Sequence, residues 1–292
     1  MMKMLVLGAG GQVGRALLRE APMRGLDVVG LDRAALDIAD SEALETAVGA
    51  VRPDVVVNCA SWNAVDLAED KPDTAFLVNG SAPGHLAMLL HRSGIRLVHY
   101  STDYVFDGAS GRPYTEVDLP APISVYGRSK LAGEQAVLAE HPDAHVLRTS
   151  MVYSAEGHNF VTRLFSRIES AGELRFICDT LCTPTLAADL AAATIELVCR
   201  ELPPGLYHAA GSDAVNPFDW ARLALASVGR DEVHVLPVKA SEFPSRAPRP
   251  KCSALLNTRL EAAGVRIPGV NERLRHSAGS WKLAGVFGDA ER

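Results

Sequence analysis

Tyr126-Gly127-Arg128-Ser129-Lys130 sets a tyrosine and a lysine at i and i+4, one helical turn apart on the same face. A lysine there lowers the phenol's pKa electrostatically and can hold a ribose, so Tyr126 can deliver a proton near neutral pH. Thr102, in His99-Tyr100-Ser101-Thr102-Asp103-Tyr104, closes an apolar run and offers a hydroxyl that can hold a carbonyl oxygen beside the tyrosine. A third feature is Gly8-Ala9-Gly10-Gly11-Gln12-Val13-Gly14. Its spacing is G-x-x-G-x-x-G, because Val13 stands where the G-x-G-x-x-G form needs its last glycine. Such glycines permit a tight turn, let backbone approach a pyrophosphate, and aim a helix N-terminus at it. Taken singly, each feature also reads as plain structure: a chance Tyr-x-x-x-Lys, or a turn that merely joins strand to helix.

The acid expected at the end of the second strand is Asp32, eighteen residues past Gly14. A carboxylate there hydrogen-bonds a ribose 2′-hydroxyl and favours NAD. Arg33 follows directly, and a guanidinium suits the 2′-phosphate of NADP. Asp37-Ile38 is expected beside the adenine. The two signals conflict, so the expected cofactor is NADPH or NADH.

Five apolar runs must position these groups: Met4–Leu7, Asp27–Leu31, Asp54–Cys59, Ile95–Tyr100 and His145–Leu147. Their near-continuous apolar character fits strands buried on both faces of a parallel sheet. Helical patterns fall between them at Gln12–Glu20, Ser41–Val51, Thr74–Arg92 and Ser124–Glu140, with Ser41 expected as an N-cap. The order predicts an α/β fold: a doubly wound parallel, Rossmann-type sheet with a smaller C-terminal substrate-binding cap. Residues 1–150 form the expected dinucleotide-binding domain. Residues 151–292, with prolines 184, 203, 204, 217, 237, 244, 248 and 250 and Gly172, Gly205 and Gly211, are expected partly to complete the sheet and otherwise to build the cap.

Composition narrows the partners. The 292 residues carry a net charge of −6 without charge blocks, which argues against nucleic acid, since phosphate neutralisation needs a basic face. Cys59, Cys178, Cys182, Cys199 and Cys252 are scattered, and no histidine stands near Cys178 and Cys182 at metal-ligand spacing, so neither metal nor disulfide is expected. The apolar start, Met4-Leu5-Val6-Leu7, is too short for a signal sequence. Leu186 to Val198 is interrupted by Asp189 and Glu196, so no membrane span and a cytoplasmic location are expected.

Together the glycine turn, Thr102 and Tyr126/Lys130 resemble the extended short-chain dehydrogenases/reductases, and within them the dTDP-4-dehydrorhamnose reductase family. The resemblance runs through Asn58-Cys59-Ala60, Ala64-Val65-Asp66, Val78-Asn79, Ser101-Thr102-Asp103-Tyr104-Val105-Phe106-Asp107-Gly108 and Pro113-Tyr114-Thr115-Glu116. It continues through Arg148-Thr149-Ser150, Asn159-Phe160, Pro184-Thr185, Asp189-Leu190-Ala191 and Arg246-Ala247-Pro248-Arg249-Pro250. It implies hydride transfer to C4 of a dTDP-linked 4-keto-6-deoxy-L-hexose, with Tyr126 protonating the alkoxide, Lys130 tuning it and Thr102 holding the oxygen. The cofactor-binding set it implies is Gly8, Gly11, Gln12, Val13, Asp32, Arg33, Asp37, Ile38, Cys59, Ala60, Ser61, Tyr126 and Lys130. The substrate set is Asn63, Val65, Thr102, Asp103, Tyr104, Met151 and Arg249, with Arg249 facing the diphosphate or, equally, solvated on a loop.

Three departures stand out. Asn63 replaces a usual threonine, with Trp62 before it as a second aromatic or as core packing. Met151 replaces a usual tryptophan, which reshapes the sugar pocket without touching the proton chemistry. Ala16 stands where some members carry a carboxylate that binds Mg²⁺ across a dimer; a homodimer remains open, a metal bridge is not expected. Related activities compete. A 4,6-dehydratase needs an acid where Tyr104 stands. An epimerase keeps the same Thr, Tyr and Lys, and only the wording of Ser101 to Gly108 disfavours it. A non-catalytic regulatory subunit like that of methionine adenosyltransferase is similar around Pro113 to Glu134.

Overall fold

A computed structural model describes residues 1–168 and 173–274. Gly172 and the last part of the expected second domain, residues 275–292, lie outside the described residues. The first half runs β1 (Lys3–Leu7), α1 (Gln12–Met23), β2 (Asp27–Leu31), α2 (Ser41–Val51), β3 (Val55–Asn58), α3 (Val65–Asp70), α4 (Pro72–Phe76), α5 (Ala82–Arg92), β4 (Arg96–Thr102), α6 (Val125–Glu140) and β5 (His145–Thr149). There follow β6 (Val152–Tyr153), α7 (Phe160–Arg167), β7 (Leu174–Ile177), β8 (Thr185–Leu186), α8 (Ala187–Cys199), β9 (Gly205–His208), α9 (Pro217–Ser227), β10 (Val235–Val238) and α10 (Thr258–Ala262).

Six parallel strands form the main sheet in the order β2-β1-β3-β4-β5-β9. Strand periodicity sends alternate residues to opposite faces. Met4, Val6, Val55 and Val57 pack with Leu17 of α1 and Leu190 of α8. Leu5, Leu7 and Val56 face the other way, onto Leu44 of α2 and Leu86 of α5. Burial on both faces explains why these strands are apolar without alternation. The strand order reverses between β1 and β3, and the carboxyl ends there open the crevice where such sheets take ligands.

Beyond residue 150, β9 adds the sixth strand and α8 packs on α1. The short parallel pairs β6·β8 and β7·β10 lie apart from the main sheet. With α7 and α9 they enclose a separate core in which Trp220 stacks on Phe160 at 4.0 Å.

Two local expectations need correction. Asp40, not Ser41, caps α2: its carboxylate accepts from the Ala43 amide at 3.0 Å. The residue before Ser41 reaches the free amide first, and its charge also suits a helix N-terminus. The expected single helix Thr74–Arg92 is also interrupted, because a π-helical turn at Leu77–Ser81 separates α4 from α5. Such single turns re-aim side chains and recur at functional sites. Here the turn carries Asn79 inward.

Candidate active site

The glycine turn leaves β1 and opens α1. Gly8 has φ +73°, and a Cβ there would come within 2.6 Å of the Ala60 amide nitrogen, so only glycine fits between the β1 and β3 ends. Gly10 and Gly11 are exposed, and a Cβ on Gly11 would meet only the Gly8 carbonyl, at 3.3 Å. No side chain caps α1, so its first-turn amides face this open, side-chain-free surface. A pyrophosphate fits such a cradle: the backbone lies bare and the helix end is positive. Gln12 is turned toward the cap: its amide donates to the Val152 carbonyl at 3.3 Å, and its oxygen accepts from Ser154. Val13 is half-buried against the core.

Asp32 follows β2 directly and folds its own loop, one oxygen accepting from the Ala34 and Ala35 amides at 3.0 Å. Its other oxygen faces Gly10 across the crevice. Arg33 lies in solvent and reaches Asp37 only at 4.0 Å. Ile38 is buried with Leu36 and Leu44 in the core beneath α2, so its side chain serves packing. Cys59, Ala60 and Ser61 follow β3; the Cys59 amide bonds the Leu7 carbonyl, and the Ala60 amide bonds Asn58.

Thr102 ends β4 at the same carboxyl edge. Its hydroxyl donates to Asp103 Oδ1 at 3.0 Å and accepts from the Tyr104 amide at 3.2 Å. Asp103 is buried, and Ser150 donates to its other oxygen at 2.8 Å. Burial pushes its carboxyl up to about 6, against the pull of the Ser253, Ser150 and Thr102 hydroxyls.

Helix α6 presents Tyr126 and Lys130. Ser124 caps it, accepting from the Gly127 amide at 3.1 Å, while Glu69 accepts from the Val125 amide at 2.7 Å. Gly127 and Gly133 let the helix lie close: added Cβ atoms would meet the Tyr104 oxygen at 2.2 Å and the Asn79 oxygen at 2.0 Å. Tyr126 packs with Val125, Trp62, Val65 and Tyr104, and its ring meets Tyr104 edge-on at 5.9 Å. Its hydroxyl points to Asn63 Oδ1 at 3.4 Å. Burial raises the phenol above its ordinary value, and the Thr102 hydroxyl acts in the opposite direction. The expected lowering by Lys130 is therefore corrected. Lys130 Nζ donates to the Tyr100 carbonyl at 2.6 Å, and burial brings the ammonium down to about 8, against Glu134.

Glu134 is occupied by Arg148 in a fully buried two-pronged pair at 2.8 and 2.7 Å. Met151, just past β5, has φ +42°, a conformation unusual for a non-glycine residue, and rests on the cap's core. Arg249 pairs with Asp66 at 2.9 Å, near Tyr104, and Arg246 pairs with Asp70, so the 246–249 loop is tied to α3. Ala16 is buried against the α8 side of the core.

The sequence reading passed over Asn79 as a site residue. Its side chain accepts from Ser61 Oγ at 3.0 Å and the Trp62 amide at 2.8 Å, and donates to Ser129 at 3.0 Å. It thereby fixes the 60–63 loop to α6. The available signal was a polar residue inside an otherwise apolar helical stretch.

The switch-point crevice, the bare glycine turn and the Thr, Tyr and Lys on the facing edge define a Rossmann-type protein of the short-chain dehydrogenase/reductase kind. The chain belongs to the family of the RmlD substrate binding domain, whose model matches residues 2–280. It is 38% identical over 275 residues to the spore coat polysaccharide biosynthesis protein SpsK of Bacillus subtilis, covering 94% of this chain and 96% of that protein. It is 41% identical over 268 residues to the dTDP-4-dehydrorhamnose reductase of Mycobacterium tuberculosis, covering 90% of this chain and 88% of that protein. The crystal structure of dTDP-4-dehydrorhamnose reductase from Bacillus anthracis in complex with NADP superposes with a TM-score of 0.90 at 33% identity, covering 94% and 98% of the two chains.

Proposed function

We propose that the chain reduces dTDP-4-dehydrorhamnose to dTDP-L-rhamnose. The observation that carries this reading is the placement of Thr102 at the carboxyl end of β4, with Tyr126 packed edge-on against the adjoining Tyr104, on the sheet edge that also holds the bare α1 N-terminus. Family membership over nearly the whole chain supports the same conclusion.

Gly8 to Val13, with Asp32 and Arg33 at the ribose end, would hold NADPH or NADH, which would supply the hydride that reduces C4 of the sugar. Burial keeps Tyr126 protonated at neutral pH, the state a proton donor needs. Its hydroxyl gives the proton to the oxygen as negative charge develops there. Thr102 holds that oxygen once its own proton turns from Asp103 toward the substrate. Lys130, largely cationic at pH 7, is kept straight by the Tyr100 carbonyl and supplies positive charge behind the reacting centre. Asn63, Val65, Tyr104 and Met151 line the sugar side. Arg249 is available to the diphosphate, provided it leaves Asp66. Tyr104 offers a hydroxyl where water elimination would need an acid, which favours reduction over dehydration.

No helix among the described residues is long and apolar enough to cross a membrane. The test is oxidation of NADPH and of NADH with dTDP-4-dehydrorhamnose generated in situ, and identification of the sugar formed. Cofactor-dependent production of dTDP-L-rhamnose is expected. Cofactor binding without turnover would overturn the reading.

A further inference from the structure

At the opposite edge of the sheet from the catalytic groups, α5 and α6 end side by side. His91 lies in the last turn of α5, His141 follows the end of α6, and Asp143 stands in the turn that enters β5. One nitrogen from each imidazole and one carboxylate oxygen lie within 4.8 Å of one another. The imidazole rings are 5.2 Å apart.

His141 is buried, at 4% exposure. Its Nε2 is 2.9 Å from the Ile95 carbonyl, which can only accept, so this nitrogen carries the ring proton. The lone pair is then on Nδ1, and Nδ1 is buried with no hydrogen-bond partner. A buried acceptor left unpaired costs stability, and an imidazole oriented through its far N–H by a backbone carbonyl is how protein metal ligands are commonly held. His91 and Asp143 are exposed and reach the same space. Two converging helix C-termini add partial negative charge there.

We propose that His91, His141 Nδ1 and Asp143 form a site for a divalent cation of borderline softness, with zinc as the occupant. Two imidazoles and a carboxylate suit zinc with water at the fourth position, and do not suit Mg²⁺, which prefers oxygen ligands. The site clamps the C-terminus of α5 to that of α6, the helix whose other end carries Tyr126 and Lys130. It has no part in the proton chemistry. Fifty residues separate His91 from His141, so no local ligand spacing betrays the site in the sequence.

The experiment is calorimetric titration of the untagged, EDTA-treated full chain with Zn²⁺ alone, and with Mg²⁺ as a control. Expected are one Zn²⁺ per chain, a rise in Tm of about 5 °C at a hundredfold excess over Kd, and no response to Mg²⁺. His91→Ala and Asp143→Asn, both at exposed positions, should weaken Zn²⁺ binding at least about tenfold, and His158→Ala should leave it unchanged. Absence of stoichiometric Zn²⁺ binding, or equal binding by His91→Ala and Asp143→Asn, would overturn the proposal. Cofactor-binding readouts of the reductase assignment are independent of all these outcomes.

Discussion

The Tyr126 hydroxyl lies 3.4 Å from Asn63 Oδ1, so the residue expected to depart from the family pattern touches the hydroxyl proposed to give the proton. The contact is long for a hydrogen bond and leaves the phenol free to turn to substrate. Asn63→Ala should therefore lower kcat/KM by about tenfold or less, the range of one neutral hydrogen bond. Steady-state kinetics check this, and a thousandfold loss would mean that Asn63 acts directly in the reaction.

Tyr126→Phe removes only the hydroxyl and keeps the ring packed against Tyr104, Trp62 and Val65. Turnover should fall at least about a hundredfold while NADPH affinity holds, as expected when a general acid is lost. Single-turnover rates beside a fluorescence titration of NADPH separate the two effects.

Two glycines of one turn should fail differently. At Gly11 an added Cβ meets only the Gly8 carbonyl, so Gly11→Val should fold yet lose cofactor binding, because its side chain fills the bare face of the α1 N-terminus. At Gly8 the Cβ would press on the Ala60 backbone at positive φ, so Gly8→Val should lose the fold itself. Circular dichroism with cofactor titration distinguishes them; unchanged affinity in Gly11→Val would refute the cofactor site.

Lys130 is an ammonium carried into the interior, with its pKa brought down to about 8. Below pH 8 it is protonated in both folded and unfolded chains, and its burial costs stability in full. That cost fades as pH rises from 8 through the ordinary lysine value, above which both forms are neutral. Lys130→Met should gain about 1–2 kcal/mol at pH 7, progressively less above pH 8, and lose most activity. Denaturant unfolding at pH 7 and pH 9.5 provides the check.

Asp103 carries the opposite pH signature. Its folded pKa of about 6 lies above the ordinary carboxylate value, so the native chain binds the extra proton. Its burial penalty is present above pH 6 and is relieved as pH falls toward 4. Between pH 7 and pH 5 the wild type should gain about 1 kcal/mol relative to Asp103→Asn. Parallel unfolding curves for the two proteins would show that Asp103 is not raised.

Much of this protein was legible in the order of its residues. Continuous apolar runs separated by helical periods identify a parallel sheet covered on both faces, because only doubly buried strands lack alternation. Gly8 to Gly14 and Tyr126 to Lys130 are local spacings, which one helical turn or one tight turn converts directly into geometry. Other relationships depended on where distant segments meet. Lys130 satisfies the Tyr100 carbonyl rather than the Tyr126 hydroxyl, and burial moves Tyr126 upward, because desolvation belongs to the assembled core and not to the i, i+4 spacing. Asn79 braces the 60–63 loop only because a π-turn swings it inward against Gly133. The junction of His91, His141 and Asp143 exists only where two helices end together. Local spacing is written in the chain; burial and the pairing of distant side chains arise only on packing.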